Sequence, residues 1–191
     1  MQMSYLKKTE YEIILKESFG IIHSCPRCSK KTHFKNTEKF RINANSNKLD
    51  IWLIYQCEEC KHTLNLAIYE RIKVSSTSKE EYQRFLDNDT QLARTYGKST
   101  QLFFKNKADI DFDRLHYEFV KRHEAIESSH FGGRRIVTIT NPHQLKIRPE
   151  KQIAGVLGLS RSQVRGLLLK GNIELKAALP QLISIEITGE V

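Results

Sequence analysis

Apolar and polar residues alternate along several short segments of this chain, a pattern that predicts β-strands. Residues 40–44 alternate, and residues 49–55 are apolar on nearly both faces, as in a central strand. Asn45-Ser46-Asn47 lies between them, and these residue types tolerate left-handed turn geometry. The two segments therefore predict one long hairpin. Similar patterns predict further strands at residues 11–15, 63–69, 134–140, 173–175 and 182–187.

The middle of the chain combines a predicted helix with an ambiguous segment. Ser78-Lys79-Glu80-Glu81 is a capping box, which predicts a helical stretch that ends near Gly97. The segment 112–128 fits helical spacing, but at Tyr117 and Phe119 it also alternates as a strand does. We favour a strand for this segment.

Capping signals predict two helices near the C-terminus. Pro149 suits the first turn of one helix, which Gly158 interrupts. Ser160 and Gln163 form a capping box for the next helix, which ends at Lys170-Gly171. The sequence therefore predicts a helix pair joined by a very short turn.

The composition is that of a soluble globular protein, with 191 residues of which 39% are hydrophobic and 28% charged. The longest uncharged apolar stretches are far too short to cross a bilayer. The N-terminal segment is charged and has no apolar region of the signal-peptide type. We therefore expect a cytoplasmic protein whose cysteines stay reduced.

The net charge of +9 is distributed unevenly. Residues 24–75 hold ten Lys and Arg against five Asp and Glu, and residues 134–191 hold nine against four. Residues 76–133 hold nine against ten and so have no positive excess. Polyanions, nucleic acid above all, are the natural partners of a basic C-terminal region. Charge that serves only solubility is the alternative.

Four cysteines carry the clearest chemical signal. Cys25 and Cys28 form one Cys-x-x-Cys pair, Cys57 and Cys60 form a second, and the chain has no other cysteine. Two such pairs supply the four thiolates of a structural zinc site, which leaves no open position for a substrate. We therefore predict a structural Zn²⁺ within a zinc ribbon. Two disulfides, a redox dithiol and unrelated buried cysteines are the alternatives.

Other residues near the cysteine pairs are less specific. His33 and His62 could each replace a thiolate, but four cysteines already complete the ligand set. Trp52 is nearby in the sequence, and we expect it in the core. Five cations around the pairs form a basic rim that would suit a polyanion or a protein partner, or would only offset thiolate charge: Arg27, Lys30, Lys31, Lys35 and Lys61.

Cations are also concentrated in the C-terminal helix pair. Arg161 and Arg165 are four residues apart and therefore lie on one helical face. They follow Ser160 in the first turns of the helix, where backbone N–H groups and the helix dipole favour phosphate. Phosphate binding is the specific prediction, and a solvated face is the alternative. The predicted nucleic-acid-binding residues are Arg148, Lys151, Ser160, Arg161, Arg165 and Lys170.

The sequence contains no motif for catalysis. It has no Gly-rich phosphate loop, no His-Glu-x-x-His and no Gly-x-Ser-x-Gly. Asp109, Asp111 and Asp113 alternate, which on a strand or loop is typical of a solvated edge. We therefore expect a protein that is not an enzyme.

Several of these segments together resemble an uncharacterised bacterial family, domain of unknown function 1062. The resemblance extends over most of the chain, and it implies membership of that family without an established activity. The segments that carry it are residues 40–45 and 49–55, both cysteine pairs, Asn65-x-x-Ile68-x-Glu70-Arg71, Asn88-Asp89 and residues 157–162.

The segment 148–175 is separately similar to an S4 RNA-binding domain, which has two short helices followed by a β-hairpin. Ser160-Arg161, Arg165 and Lys170-Gly171 occupy matching positions, and the resemblance implies that they contact RNA. The chain departs from the pattern at Arg148-Pro149-Glu150, where Arg-Leu-Asp is usual, and at Lys176-Ala177-Ala178, which replaces an Asn-Gly turn.

The same two helices also fit a helix-turn-helix, in which Arg161 and Arg165 would face DNA. A third helix after them would favour DNA, whereas strands would favour the S4-like arrangement and RNA. The predicted strands at residues 173–175 and 182–187 favour RNA.

These patterns together predict an α+β protein of three segments. Residues 1–75 would form a zinc-ribbon domain with an antiparallel sheet, residues 76–133 a helical and strand connector, and residues 134–191 an S4-like two-helix module with short strands. We expect structured RNA as the partner, and no membrane. A helix-turn-helix DNA-binding regulator and a zinc-ribbon adaptor that binds another protein are the alternatives.

Overall fold

The computed structural model describes residues 4–129 and 133–188 of the chain. Within these ranges the chain is mostly β, with ten strands and five short α-helices. The strands are β1 (Ser4–Leu15), β2 (Ile21–Cys25), β3 (Lys30–Asn45), β4 (Lys48–Cys57), β5 (Thr63–Lys73), β6 (Asp109–Ile110), β7 (Tyr117–Ser129), β8 (Arg134–Thr140), β9 (Ile173–Leu179) and β10 (Leu182–Thr188). The helices are α1 (Lys79–Leu86), α2 (Thr90–Tyr96), α3 (Thr100–Lys105), α4 (Pro149–Leu157) and α5 (Arg161–Leu169).

The contacts between residues divide the chain into two compact units. One unit comprises residues 15–116, and the other joins the residues before 15 to those after 116. This grouping follows proximity in space, whereas the three predicted segments were defined by composition and motif and stay a prediction.

The unit of residues 15–116 contains a five-stranded sheet in the order β5-β4-β3-β2-β6. The paired strands β2, β3, β4 and β5 are all antiparallel to their neighbours. On β4 the alternate residues Leu49, Ile51, Leu53 and Tyr55 are fully buried. The predicted hairpin at residues 40–55 is therefore confirmed, with β3 and β4 joined at Ser46-Asn47.

Aromatic side chains from the helices fill the core of this unit. Phe85 of α1 lies edge-on to Phe40 of β3, with ring centroids 4.8 Å apart. Phe103 of α3 lies edge-on to Phe19 at 5.6 Å and to Tyr55 at 5.9 Å. Because aromatic side chains bury large apolar areas, these contacts hold the short helices against the sheet.

The helical stretch predicted to run from residue 79 to about Gly97 is divided into two helices. Asn88 has a φ of 51°, which ends α1, and its Oδ1 accepts a hydrogen bond from the N–H of Phe40 at 2.7 Å. Asp89 then caps α2, since its Oδ1 accepts from the N–H of Leu92 at 2.9 Å. Both residue types favour local side-chain hydrogen bonds over a continuing helix.

The second unit contains a five-stranded sheet in the order β7-β1-β8-β10-β9. Strands β1 and β8 are parallel, with Thr9 opposite Val137, and β10 is antiparallel to both β8 and β9. Helices α4 and α5 connect β8 to β9. Ile153 of α4 and Val164 of α5 are buried with the inward-facing residues of β10.

The predicted fold class, α+β with a C-terminal S4-like two-helix module, is wrong. The structure is mostly β, and the helix pair is not a module with short strands of its own. Strands β9 and β10 each have seven residues and belong to a sheet that includes β1 from the other end of the chain. The apolar and polar pattern of each segment predicted strands β9 and β10 correctly. The pairing of β1 with β8 joins two distant segments, and no pattern within either segment predicts it.

Other local predictions have definite outcomes. The segment 112–128 is a strand from residue 117, as favoured from its alternation, after a short 3₁₀ turn at Phe112–Arg114. The capping box at Ser160 and Gln163 is present. The pair Gly132-Gly133 is itself a sequence signal for a turn; Gly132 lies outside the described residues, and Gly133 is in a turn. In the part of the chain that the structure describes, no helix is long and apolar enough to cross a membrane.

Candidate metal centre

Each cysteine pair lies in the same kind of turn at the end of a strand. Cys25 ends β2 and Cys57 ends β4. The residue after each pair donates its N–H to the carbonyl of the first cysteine, from Ser29 to Cys25 at 2.9 Å and from Lys61 to Cys57 at 3.1 Å. Both of these residues have a left-handed φ, 55° at Ser29 and 64° at Lys61. Left-handed backbone is unfavourable for residues other than glycine, so its repetition indicates two turns of one required shape.

The register of the sheet brings the two turns together. Strand β3 pairs with β2 on one side and with β4 on the other, so that Lys30 is opposite Cys25 and Phe34 is opposite Cys57. The N–H of Glu58 also donates to the carbonyl of His33 at 2.9 Å. The predicted long hairpin is therefore what brings the two cysteine pairs together.

The four sulfur atoms form one compact cluster. All four Sγ atoms lie within 4.8 Å of one another, with 3.4 Å between Cys25 and Cys60 and 3.9 Å between Cys28 and Cys57. A tetrahedral zinc ion with Zn–S bonds of about 2.3 Å would place its sulfurs about 3.8 Å apart. All four cysteines are free thiols, so the alternative of two disulfides is not the state of this structure. The cluster could hold a metal ion.

The surroundings of the cluster favour the thiolate form of Cys57 and oppose the thiolate form of Cys28. Burial raises the pKa of Cys57, but the N–H groups of Cys60 and Glu59 and the Thr32 hydroxyl donate to its sulfur and bring the pKa down to about 6. Hydrogen bonding with Cys60, followed by burial, raises the pKa of the Cys28 thiol. Four thiolates in one site repel one another unless a cation compensates their charge, and a bound metal ion supplies that cation.

The buried carboxylate of Asp111 and the nearby Arg114 connect the turn that contains Cys57 and Cys60 to a loop more than fifty residues further along the chain. Asp111 exposes only 4% of its surface, and its Oδ2 lies 2.8 Å from Nδ1 of His33. Arg114 lies 3.7 Å from the same oxygen and 3.0 Å from the carboxylate of Glu58, the residue that follows Cys57. The sequence suggested a solvated edge here and missed this role of Asp111. His33 faces Asp111, which supports its exclusion from the ligand set.

The other residues predicted near the cysteines lie mostly on the surface. Trp52 is half-buried on the face of β4 opposite to Ile51 and Leu53. Its register partners are Arg41 of β3 and Ala67 of β5. It therefore lies outside the main core, where it was expected. Lys30 pairs with Glu59 at 3.0 Å. The cations of the basic rim are all exposed: Arg27, Lys30, Lys31, Lys35 and Lys61.

The residues predicted to bind nucleic acid all lie on the surface of the α4 and α5 pair. Arg148 is the residue directly before α4 and makes no side-chain capping hydrogen bond, and Lys151 follows in the first turn with its ammonium 5.5 Å from the centre of the Tyr117 ring. Ser160 caps α5, Arg161 and Arg165 lie in its first two turns, and Lys170 follows its end. We call this set the helix-pair cations: Arg148, Lys151, Arg161, Arg165 and Lys170.

Most of these cations have no acidic partner in the protein. Among residues 4–129 and 133–188, no ion pair is found for Arg148, Arg161, Arg165 or Lys170. The Ser160 hydroxyl, in contrast, is already engaged, because it accepts from the N–H of Gln163 at 3.2 Å. Ser160 therefore stabilises the start of α5. The positive charge at this part of the helix comes from Arg161 and Arg165.

Two further residues of α5 stand out that the sequence did not single out. Leu169 is 89% exposed. Gly166 lies mid-helix, and a Cβ at this position would meet no atom within 4 Å in the described structure. Glycine weakens a helix relative to alanine by about 1 kcal/mol, and packing inside the protein does not require it here.

Comparison with known proteins gives one result. A family model described as "Protein of unknown function (DUF1062)" matches residues 42–179. Comparison with curated proteins and with solved structures finds no match. The matched range includes Cys57, Cys60 and the helix pair, and it begins after Cys25 and Cys28.

Proposed function

This chain belongs to the family of proteins of unknown function DUF1062, and we propose that it is a zinc-stabilised RNA-binding protein and not an enzyme. In this proposal the cysteine cluster holds a structural Zn²⁺, and the helix-pair cations bind the phosphates of structured RNA. The two parts rest on different residues and are tested separately.

The choice of zinc rests on the donor set. Thiolates are soft ligands, and four of them at the corners of a tetrahedron are typical of structural zinc sites. The four sulfurs complete the coordination shell, so the metal stabilises the fold and takes no substrate. We expect protein purified without added metal to contain one Zn²⁺ per chain by elemental analysis. A chain that is folded and metal-free would overturn this part of the proposal.

RNA binding is supported above all by the unpaired cations of α5. Arg161 and Arg165 lie on one helical face in the first turns of the helix, where the dipole and free N–H groups also favour an anion. Like charges at this spacing repel slightly unless an anion lies opposite them. Arg148 and Lys170 extend the positive surface to the two ends of the helix pair.

RNA is preferred to DNA because of the elements that come after α5. A helix-turn-helix reader would be expected to continue into a third helix, whereas the chain continues into the antiparallel strands β9 and β10. A cytoplasmic location, expected from the sequence, would suit both reduced cysteines and an RNA partner.

The test is a titration of structured RNA and of duplex DNA at several salt concentrations. Counterion release makes the slope of log affinity against log salt proportional to the number of phosphate contacts, at about 0.9 per contact for a duplex. Replacing Arg161 and Arg165 by alanine should therefore make the slope shallower by about two. Lys39→Ala with Lys73→Ala is the matched control, because it removes the same charge from exposed positions in the other unit.

Each other outcome has a definite meaning. An unchanged slope in the Arg161 and Arg165 variant would overturn the assignment of the surface. Tighter binding to duplex DNA than to RNA would favour a DNA-binding regulator. Absence of binding to either polymer would favour a protein adaptor.

A further inference from the structure

The side of helix α5 opposite its buried residue Val164 combines positive charge with small and apolar residues. Because successive residues of an α-helix are about 100° apart, five residues of α5 fall within an arc of about 140° on this side. Four of the five are exposed, and the glycine among them is half-buried. We call this set the α5 outer face: Arg161, Ser162, Arg165, Gly166 and Leu169.

The charge of the α5 outer face is complementary to a phosphate backbone. The sequence contains no acidic residue between Glu150 and Glu174. In the described part of the chain, neither Arg161 nor Arg165 forms an ion pair. Their guanidinium groups are therefore available to the oxygen atoms of a phosphate, with which guanidinium forms strong hydrogen bonds.

The rest of the α5 outer face suits a partner that comes close to the helix. Leu169, one turn after Arg165, is 89% exposed. At Gly166 a Cβ would meet no atom within 4 Å in the described structure, so this glycine leaves an open space beside the helix backbone. Glycine allows a ligand to approach the backbone more closely than any other residue does. The face therefore fits a smooth surface that offers phosphates at its edge and carbon atoms beside them.

The grooves of nucleic acids differ in whether they admit such a helix. An α-helix with its side chains is about 10–12 Å across, which is too wide for the minor groove of B-DNA, at about 6 Å. The major groove of B-DNA admits a helix, but it is read by side chains that hydrogen-bond to base edges, and Gly166 and Leu169 have no such groups. An RNA duplex has a narrow major groove and a wide, shallow minor groove lined by riboses.

The composition of this part of the chain argues against unpaired bases as the main partner. Proteins bind single-stranded RNA largely by stacking its bases on aromatic side chains. Residues 132–191 contain no Phe, Tyr or Trp. The shallow minor groove of an RNA duplex needs no stacking, because it is recognised through its phosphates, its riboses and its shape.

We propose that the α5 outer face binds in the minor groove of an RNA duplex, with Arg161 and Arg165 on the phosphates and Leu169 against the riboses. This inference rests on the proposed RNA-binding function and narrows its partner to RNA that contains a double helix. Gly166 allows the backbone of α5 to approach the floor of the groove. Recognition of this kind depends on the shape of the duplex and the 2′-hydroxyl groups, and little on base sequence.

The first test titrates the full-length, metal-loaded protein with four ligands of one sequence at a fixed salt concentration. They are an RNA duplex, its single strand, the DNA duplex and an RNA duplex with 2′-O-methyl riboses, which keeps the same helix form but has methyl groups in the minor groove. We expect the unmodified RNA duplex to bind most tightly and the methylated duplex about tenfold more weakly, because the methyl groups displace Leu169. Any of the other three ligands binding as tightly as the unmodified RNA duplex would overturn the groove assignment.

Variants then distinguish failure of the groove assignment from failure of RNA binding. Leu169→Ala should weaken binding of the RNA duplex about tenfold, since an apolar contact is lost, and should leave the salt slope unchanged, since no charge is removed. Leu86→Ala is the matched control, because Leu86 is also an exposed leucine at the last position of a helix, and it should have no effect. Equal affinities of these two variants would overturn the groove assignment. A shallower slope in the Arg161 and Arg165 variant would then still support the phosphate surface.

Discussion

A substitution at Gly166 is expected to change the stability of the protein and its affinity for RNA in opposite directions. A Cβ here would meet no atom within 4 Å in the described part of the chain, whereas at Gly155 of α4 a Cβ would lie 2.2 Å from Cε2 of Phe119. The two glycines are therefore a matched pair in adjacent helices. At Gly155 the ring of Phe119 would have to move to make room for a Cβ, whereas at Gly166 no side chain of the described residues would have to move.

We expect Gly166→Ala to stabilise the protein and to weaken RNA binding. The helix gains about 1 kcal/mol relative to glycine, which corresponds to a rise in Tm of roughly 2–4 °C for a chain of this size. The added methyl would stand between Arg165 and Leu169 on α5, where the proposed RNA contact would bring the RNA backbone close to the helix. Thermal unfolding and RNA titration of Gly166→Ala beside Gly155→Ala measure both effects. A variant that is more stable and binds RNA as tightly as the natural chain would show that nothing approaches α5 there.

Individual residues also show how far the sequence could predict the site. The four cysteines were found as a candidate metal site because two Cys-x-x-Cys pairs are a signal that can be read from spacing alone. Asp111 was missed because its partners, His33 and Arg114, are brought to it by the pairing of β2 with β6 and by a 3₁₀ turn. An alternating run of aspartates gives no sign that one of them is buried.

Single helices and strands were predicted correctly where the residues that define them lie close together in the sequence. The capping box at Ser160 and Gln163 and the left-handed Gly158 after α4 are set by residues within four positions of each other. The break at Asn88 was missed, although Asn-Asp at that point is itself a signal for the end of one helix and the cap of another. Strand β2 and helix α3 were missed because they are short.

The edge strand β7 is joined to β1 by ion pairs that should make this element sensitive to acid. Hydrogen bonds from Lys121, then from Lys7, hold the pKa of Glu124 at about 2, below its ordinary value. A lowered pKa contributes stability above the ordinary value of about 4.3, and the contribution is lost as the pH falls toward 2. Both cations are partly exposed, so salt should screen the effect.

We therefore expect Glu124→Gln to be less stable than the natural chain at pH 7 and to approach it in stability near pH 2. Urea unfolding at several pH values measures the difference, and Glu10→Gln, an exposed glutamate on β1, is the control. A difference that is constant over this pH range would show that the ion pairs of Glu124 contribute nothing to stability.

At the scale of the whole molecule, the sequence predicted the elements better than their arrangement. The hairpin β3–β4 is local, so the cysteine cluster could be derived from spacing. The parallel pair β1 and β8 joins residues more than a hundred positions apart, and its register, with Tyr11 opposite Ile139, is decided by packing. This pairing is why the predicted fold class is wrong. Because β1 joins the sheet of β8, β10 and β9, the segment predicted as a helix module is part of a mostly β structure.

The division into two compact units makes metal removal a test at this scale. The cysteine cluster lies wholly within residues 15–116. If a bound Zn²⁺ supplies folding energy to this unit, a chelator should reduce hydrogen-exchange protection in β2, β3, β4 and β5 far more than in β8 and β10. Cys57→Ser should reproduce this pattern without a chelator. Equal loss in both sheets would show that the metal does not act on one unit alone.

The central claim is that the helix pair contacts RNA, and crosslinking in cells tests it most directly. Ultraviolet irradiation would join RNA to the protein, and mass spectrometry of the digested complex would identify the crosslinked peptides. We expect crosslinked nucleotides on peptides from residues 144–183, which contain the helix-pair cations. Crosslinks confined to residues 21–63 around the cysteine pairs, or no RNA on the purified protein, would contradict the account.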